Sequence, residues 1–209
     1  MRVNLSESQL TMELQTYRVK IKGTRPLLCH NSQQLADPLS EISQKLKEIT
    51  GVKKKTQDHY KQIADLSWQG SLYLDDANRP IIPTTCLHSM FVAGAKKHKL
   101  GKQTASDLEI LEHPLIQHDG PRGATAADLS ALLRFRDTRL VKVMNSRVTR
   151  TRACFPIWVL EFDVRIDSAS LKENELKLII ETAGRHIGLG DYRPYFGKYE
   201  IESFTKLRT

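Results

Sequence analysis

Cations, flat rings and glycines crowd one stretch near the end of the chain, from Ala183 to Ile201. Gly184, Gly188, Gly190 and Gly197 permit positive φ and the close approach of another backbone. Arg185, Arg193 and Lys198 set positive charge around them, and Tyr192, Tyr195, Phe196 and Tyr199 offer surfaces for stacking. A polyanion carrying flat bases, that is a single-stranded nucleic acid, is the ligand this composition suits. A tight helix-to-strand turn whose aromatics belong to the core has the same composition.

A second basic stretch precedes it. Arg134, Arg136, Arg139, Lys142, Arg147, Arg150 and Arg152 are opposed by Asp137 alone. Arginine pairs with phosphate through two parallel hydrogen bonds and stacks on bases, whereas a merely solvated face mixes acids with bases. The segments Thr138–Val143 and Ser146–Arg152 read as an extended β-hairpin or arm. Near the other end, Tyr17, Val19 and Ile21 alternate with Arg18, Lys20 and Lys22, giving a half-buried strand with a cationic outer face. That face either tracks phosphates or is a solvated lysine-rich surface. The expected contacts to a strand of nucleic acid are Arg18 and Lys20 on the sheet, Arg147, Arg150 and Arg152 on the arm, and Gly188, Gly190, Arg193 and Lys198 in the loop, with Tyr192 and Tyr195 stacking on bases.

Other chemistry finds little support. Gly188-x-Gly190 lies at a helix end, not a helix start, so it is neither a dinucleotide fingerprint nor a phosphate-binding loop of the Walker type. His98, His113, His118 and His186 lack metal-ligand spacing, no nucleophile has an adjacent base, and neither a metal nor a cofactor is expected. Cys29, Cys86 and Cys154 are odd in number and far apart, as reduced thiols of a cytoplasmic protein would be. The net charge of +8 over 209 residues favours polyanionic partners. No segment is long and apolar enough for a membrane span, so no membrane partner is expected, and Met1–Thr11 lacks the apolar core of a signal peptide.

The elements that must position these residues follow from periodicity. Residues 1–12 read as a flexible arm, and 13–209 as a single domain. The strong elements are a strand at 13–22, a helix at 84–99, a strand at 155–167, a helix at 171–186 and a strand at 196–204. In the strand at 155–167, Trp158, Leu160, Phe162, Val164 and Ile166 share one face. Asp37 with Pro38 should open a helix with Leu39, Ile42, Leu46 and Ile49 as its stripe, and Thr56 should cap another with Tyr60, Ile63 and Ala64 inward. Trp68 should begin a short strand, Thr84 or Thr85 should cap the helix that follows, a strand should span Glu109 to His118, and Ser170 with Glu173 should form a capping box. The sum is an α+β, ferredoxin-like or RRM-like sheet backed by helices, with a helical insertion at about 24–83 and a β-hairpin arm within 103–152.

A final helix, then Gly188-Leu189-Gly190-Asp191-Tyr192-Arg193-Pro194-Tyr195-Phe196-Gly197-Lys198-Tyr199, then a terminal strand, resembles the glycine-rich loop of the RAMP superfamily. Within that superfamily the chain is most similar to backbone subunits of CRISPR effector complexes and to small phage-borne relatives, through Leu28 to Asp37, Pro83 and Gly188 to Gly197. Where many relatives read Ser-Arg-Gly in the loop, this chain reads Arg193-Pro194. The resemblance implies a modified RNA-recognition fold, a hairpin thumb, a helical finger, and head-to-tail self-association along RNA, with other ribonucleoprotein subunits as further partners. It also implies two alternatives. One is a metal-independent RNA endonuclease, with His30 for acid–base work or Asp37 from the loop after the first strand. Asp37 as a helix cap and His30 as a turn residue are the plain structural roles for the same two positions. The other alternative is a phage protein that mimics such a subunit and inhibits a host complex.

Overall fold

Strict alternation builds the central strand of the computed structural model, which describes residues 13–143 and 146–208, the side chains of residues 142–147 excepted. The expected arm at residues 1–12 and the Arg147 side chain lie outside the described residues. In β1 (Leu14–Gly23), Tyr17, Val19 and Ile21 are fully buried and the residues between them face outward. There follow β2 (Leu27–Leu28), α1 (Ser32–Ala36), α2 (Glu41–Gly51), α3 (Gln57–Gln69), β3 (Tyr73–Leu74), β4 (Pro80–Ile81) and α4 (Thr84–Lys96). After them come α5 (Gly101–Asp107), β5 (Leu108–Ile110), β6 (Gln117–His118), α6 (Ala126–Ser130), β7 (Arg136–Val143) and β8 (Ser146–Phe155). The chain closes with β9 (Trp158–Asp167), α7 (Glu173–Thr182), a π turn at Ala183–Ile187 and β10 (Tyr199–Lys206).

The main sheet runs β10-β1-β9-β5, antiparallel throughout, and β6 also pairs with β9. Taken as β1, α4, β5, β9, α7 and β10, the strands lie in the order fourth, first, third, second. This is the ferredoxin-like α+β arrangement that the sequence led us to expect. Helices α4 and α7 cover one face, burying Leu87, Met90 and Phe91 from the first and Leu176, Ile179 and Ile180 from the second. Each such side chain removed from water contributes roughly 1.5–3 kcal/mol. Gly94 lets the two helices cross closely, since a Cβ there would lie 3.0 Å from the Ile179 carbonyl oxygen of α7.

Several local expectations are corrected. Asp37 is the residue after α1; its Oδ1 accepts from the Leu39 N–H at 2.9 Å, while Ser40 caps α2. Leu39 is therefore outside the helical stripe and 83% exposed. Thr56 does cap α3, in a reciprocal box with His59, but Tyr60 faces solvent. Trp68 belongs to α3, where its indole N–H donates to the Phe135 carbonyl at 2.7 Å. Pro83, not a threonine, precedes α4, and His113 Nδ1 accepts the Thr84 N–H at 3.1 Å. The strand at 109–118 is broken because Pro114, Leu115 and Ile116 turn to β4: the Ile82 N–H donates to the Pro114 carbonyl and the Ile116 N–H to the Pro80 carbonyl, each at 2.9 Å. Lys172 precedes α7 with its N–H donating to Glu175 Oε2 at 2.8 Å, and the Ser170 hydroxyl donates to Asp107 and caps nothing.

Candidate nucleic-acid interface

Three segments far apart in sequence are laced together at one end of β1. β2 pairs with β8, placing Leu28 opposite Cys154, and the Cys29 N–H donates to the Ala153 carbonyl at 2.9 Å. The glycine-rich loop docks on the same segment: the Asp191 N–H donates to the Leu28 carbonyl at 2.7 Å and the Gly197 N–H to the Pro26 carbonyl at 2.8 Å. Lys198 returns its carbonyl to the Thr24 N–H at 2.8 Å. Trp158, packed where Gly23 has no side chain, donates its indole N–H to the Arg25 carbonyl at 2.8 Å.

Gly188, Gly190 and Gly197 have φ of 80°, 77° and 68°. A Cβ at each would collide with a carbonyl of the chain itself, that of Phe196, Leu28 and Leu189 respectively. The backbone that approaches these glycines is thus the protein's own. They close the loop and seat it on β2, so the outward surface of the loop is made by its side chains.

Those side chains meet the base of the β7–β8 hairpin. The Arg139 guanidinium, engaged by Asp137, lies over both Tyr192 and Phe196, 5.4 and 4.6 Å from the ring centroids. Arg152 Nε lies 2.9 Å from Asp191 Oδ2, and its Nη1 is buried without a hydrogen-bond partner. Arg150 stands directly across the hairpin from Arg139 and is exposed. Arg25 lies over Tyr195 at 5.6 Å. Phe196 is buried, but Tyr192 and Tyr195 remain 48% and 66% exposed. One surface therefore offers two exposed tyrosine rings, each with an arginine over it, among arginines drawn from the segment after β1 and from the hairpin base.

Beside this surface is a cavity of about 240 Å³ lined by Cys29, His30, Tyr73, Ile82, Cys86, Leu189, Gly190, Asp191 and Arg193. Partial burial lowers the pKa of His30; Asp191 opposes that shift, and Arg152 and Arg150 add to it. Burial raises the thiol pKa values, that of Cys154 to about 11 and those of Cys29 and Cys86 in the same direction, so none is a ready nucleophile. Asp37 is exposed beyond α1 and does not line this cavity. Among the described residues no group of three His, Cys, Asp or Glu side chains is placed to hold a metal ion, and no helix is long and apolar enough to cross a membrane.

The other expected contacts lie elsewhere. Arg18 and Lys20 are on the outer face of the sheet, where Arg18 forms a two-pronged pair with Asp163 at 2.9 Å and Lys20 reaches Glu202 at 2.8 Å. Their neighbours on that face, Glu161, Asp163 and Arg165, are all charged, and Arg165 is itself paired with Glu109. Lys198 lines a separate cavity with Glu181, Arg185 and Glu200. Arg25 and Asp191 join the surface without having been expected there, and Arg139 joins it as a member of the basic stretch that was not among the expected contacts. Asp137, the one acid in the basic stretch, was the available signal for Arg139. Arg25 and Asp191 gave none, because their roles depend on long-range docking.

No family model matches the chain, and no curated protein does. Among solved structures the chain is similar to the crystal structure of Cmr6 from Pyrococcus furiosus, with a TM-score of 0.34 and 10% identity, over 90% of this chain and 99% of that one.

Proposed function

We propose that this chain is a non-catalytic binder of single-stranded nucleic acid, RNA foremost, held where the hairpin base meets the glycine-rich loop. The observation that carries the reading is the convergence of Arg25, Arg139 and Arg150 around the exposed rings of Tyr192 and Tyr195. Cations that track phosphates beside sequence-tolerant aromatic platforms are what single-strand binding requires. The mixed-charge outer sheet face supports it less, because Arg18, Lys20 and Arg165 there are each paired with an acid.

The reading includes head-to-tail assembly of copies along one strand, a heterologous contact that does not close on itself. Leu39 and Tyr60 on the helical insertion and Leu140 on the arm, all well exposed, supply apolar surface for such contacts or for other subunits of a ribonucleoprotein. Size-exclusion chromatography with light scattering on nuclease-treated protein, with and without a long oligouridylate, tests it. Regularly sized assemblies that appear only with RNA support it. A monomer or closed dimer indifferent to RNA contradicts it and favours a protein-directed mimic.

One observation favours a second reading, a metal-independent endonuclease: His30 and Asp191 line the same cavity, with Arg150 and Arg152 close enough to perturb the imidazole. Cleavage of labelled RNA in the presence of a chelator, abolished by His30→Ala, would establish it. Intact RNA under the same conditions rejects it.

A further inference from the structure

We propose that the cavity between the segment after β2, the start of α4 and the glycine-rich loop is a pocket for one extruded guanine base of the bound strand. The inference deepens the nucleic-acid reading and rests on it. The cavity adjoins the surface that carries Tyr192 and Arg150, since Asp191 both lines it and pairs with Arg152 of the hairpin. At about 240 Å³ it falls below the roughly 300–1,000 Å³ of drug-sized sites, so it takes a single ring system and not a stretch of strand.

The walls favour a neutral flat ring over a phosphate. Ile82, Leu189 and the thiols of Cys29 and Cys86 are apolar, and Tyr73 and His30 supply flat faces. The Tyr73 hydroxyl donates to the His30 carbonyl at 3.4 Å, which ties these two walls together. A carboxylate, Asp191, stands in the lining and offsets the charge of Arg193, so the cavity carries no excess cation to draw a phosphate. Its position is set in advance, by its own N–H on the Leu28 carbonyl at 2.7 Å and by Arg152 at 2.9 Å.

The polar groups select among the bases. A carboxylate only accepts hydrogen bonds, and with Asp191 Oδ2 buried beside Arg152 it is Oδ1 that is left to accept from an edge carrying donors and no acceptor. Guanine has that edge, in its N1–H and 2-amino group. Adenine and cytosine set a ring-nitrogen acceptor beside their amine, and uracil flanks its single N–H with two carbonyls. Arg193, also in the lining, matches the guanine O6 and N7 acceptors, the commonest specific arginine–base contact. Unstacked bases of single strands are commonly read in this way, by stacking and by their Watson–Crick edge.

The test is a fluorescence-anisotropy comparison, at low salt, of an oligouridylate of about 12 nucleotides with the same oligomer carrying one central guanosine or one central inosine. Roughly tenfold tighter binding of the guanosine oligomer is expected, with inosine, which lacks the 2-amino group, in between. Asp191→Asn should collapse the ratio between guanosine and uridine oligomers. Cys86→Leu, which fills the cavity and leaves the Asp191–Arg152 pair in place, should collapse it too, so the result does not depend on one variant folding. Equal affinities of the wild-type protein for all three oligomers would overturn the pocket and leave the strand-binding reading standing. Failure of all three to bind would overturn both.

Discussion

Arg139 lies 4.6 Å from the centroid of Phe196, a contact that joins the hairpin to the glycine-rich loop across more than fifty residues of sequence. The guanidinium is held by Asp137 on its own strand and spreads over Tyr192 as well. It thus fixes the tilt of the hairpin base against the loop, and with it the spacing between Arg150 and the exposed tyrosine rings.

Arg139→Ala should lower stability by about 1 kcal/mol, the worth of a partly desolvated cation–π contact. Arg139→Lys should not restore it, since an ammonium cannot lie flat over two rings while bridging a carboxylate with two donors. Urea unfolding of the three proteins measures this, and full rescue by lysine would contradict the stacking role.

Gly197→Ala should cost at least about 2 kcal/mol. The residue has φ of 68°, and its Cβ would run into the Leu189 carbonyl. Gly51, with open space around it, is the control: Gly51→Ala should be neutral or mildly stabilising. Equal midpoints for the two variants in a denaturant titration would remove the structural role assigned to the loop glycines.

His118 gives a pH prediction. Its ring stacks on Phe155 and meets the edge of Phe135 at centroid distances of 5.6 and 5.4 Å. Burial depresses its pKa, Asp119 opposes the shift, and Arg134 adds to it. The unfolded chain therefore takes up the proton first, near the ordinary histidine value of about 6.5. Stability present above that pH is lost as the pH falls from there towards the lower folded value. His30, depressed in the same direction, adds to the effect. Thermal unfolding at about pH 7.5 and 5.5 should show a lower midpoint in acid. His118→Asn, which keeps an acceptor for the Gly120 N–H, should show a smaller drop.

The core of the fold was legible because its signals are periodic. The alternation in β1 and β9 named the buried faces, and the stripes of α4 and α7 named the helices that cover them. The caps were legible only in part, since several polar residues compete for each helix start. Ser170 was drawn off by Asp107, and Asp37 by a turn of its own. The candidate site was legible in its parts and not in its assembly. Tyr192, Tyr195 and Arg150 stood out by type, whereas Arg25 and Asp191 owe their places to backbone hydrogen bonds between β2 and the loop. The glycines were conspicuous for a reason internal to the fold. Arg18 and Lys20 on the outer face of β1 read as open because the acids that pair with them come from β9 and β10.

A salt titration tests the placement of the strand most directly. Fluorescence anisotropy with a labelled oligouridylate, run between about 50 and 200 mM salt, should show binding that weakens roughly tenfold, with a slope near −0.7 for each phosphate contacted. The double variant Arg25→Ala, Arg150→Ala should bind more weakly and lower that slope by about one unit or more, while Arg18→Ala should leave it unchanged. Binding that ignores salt, or a slope that falls with Arg18 and not with Arg25 and Arg150, would contradict the placement of the strand at the hairpin base and loop.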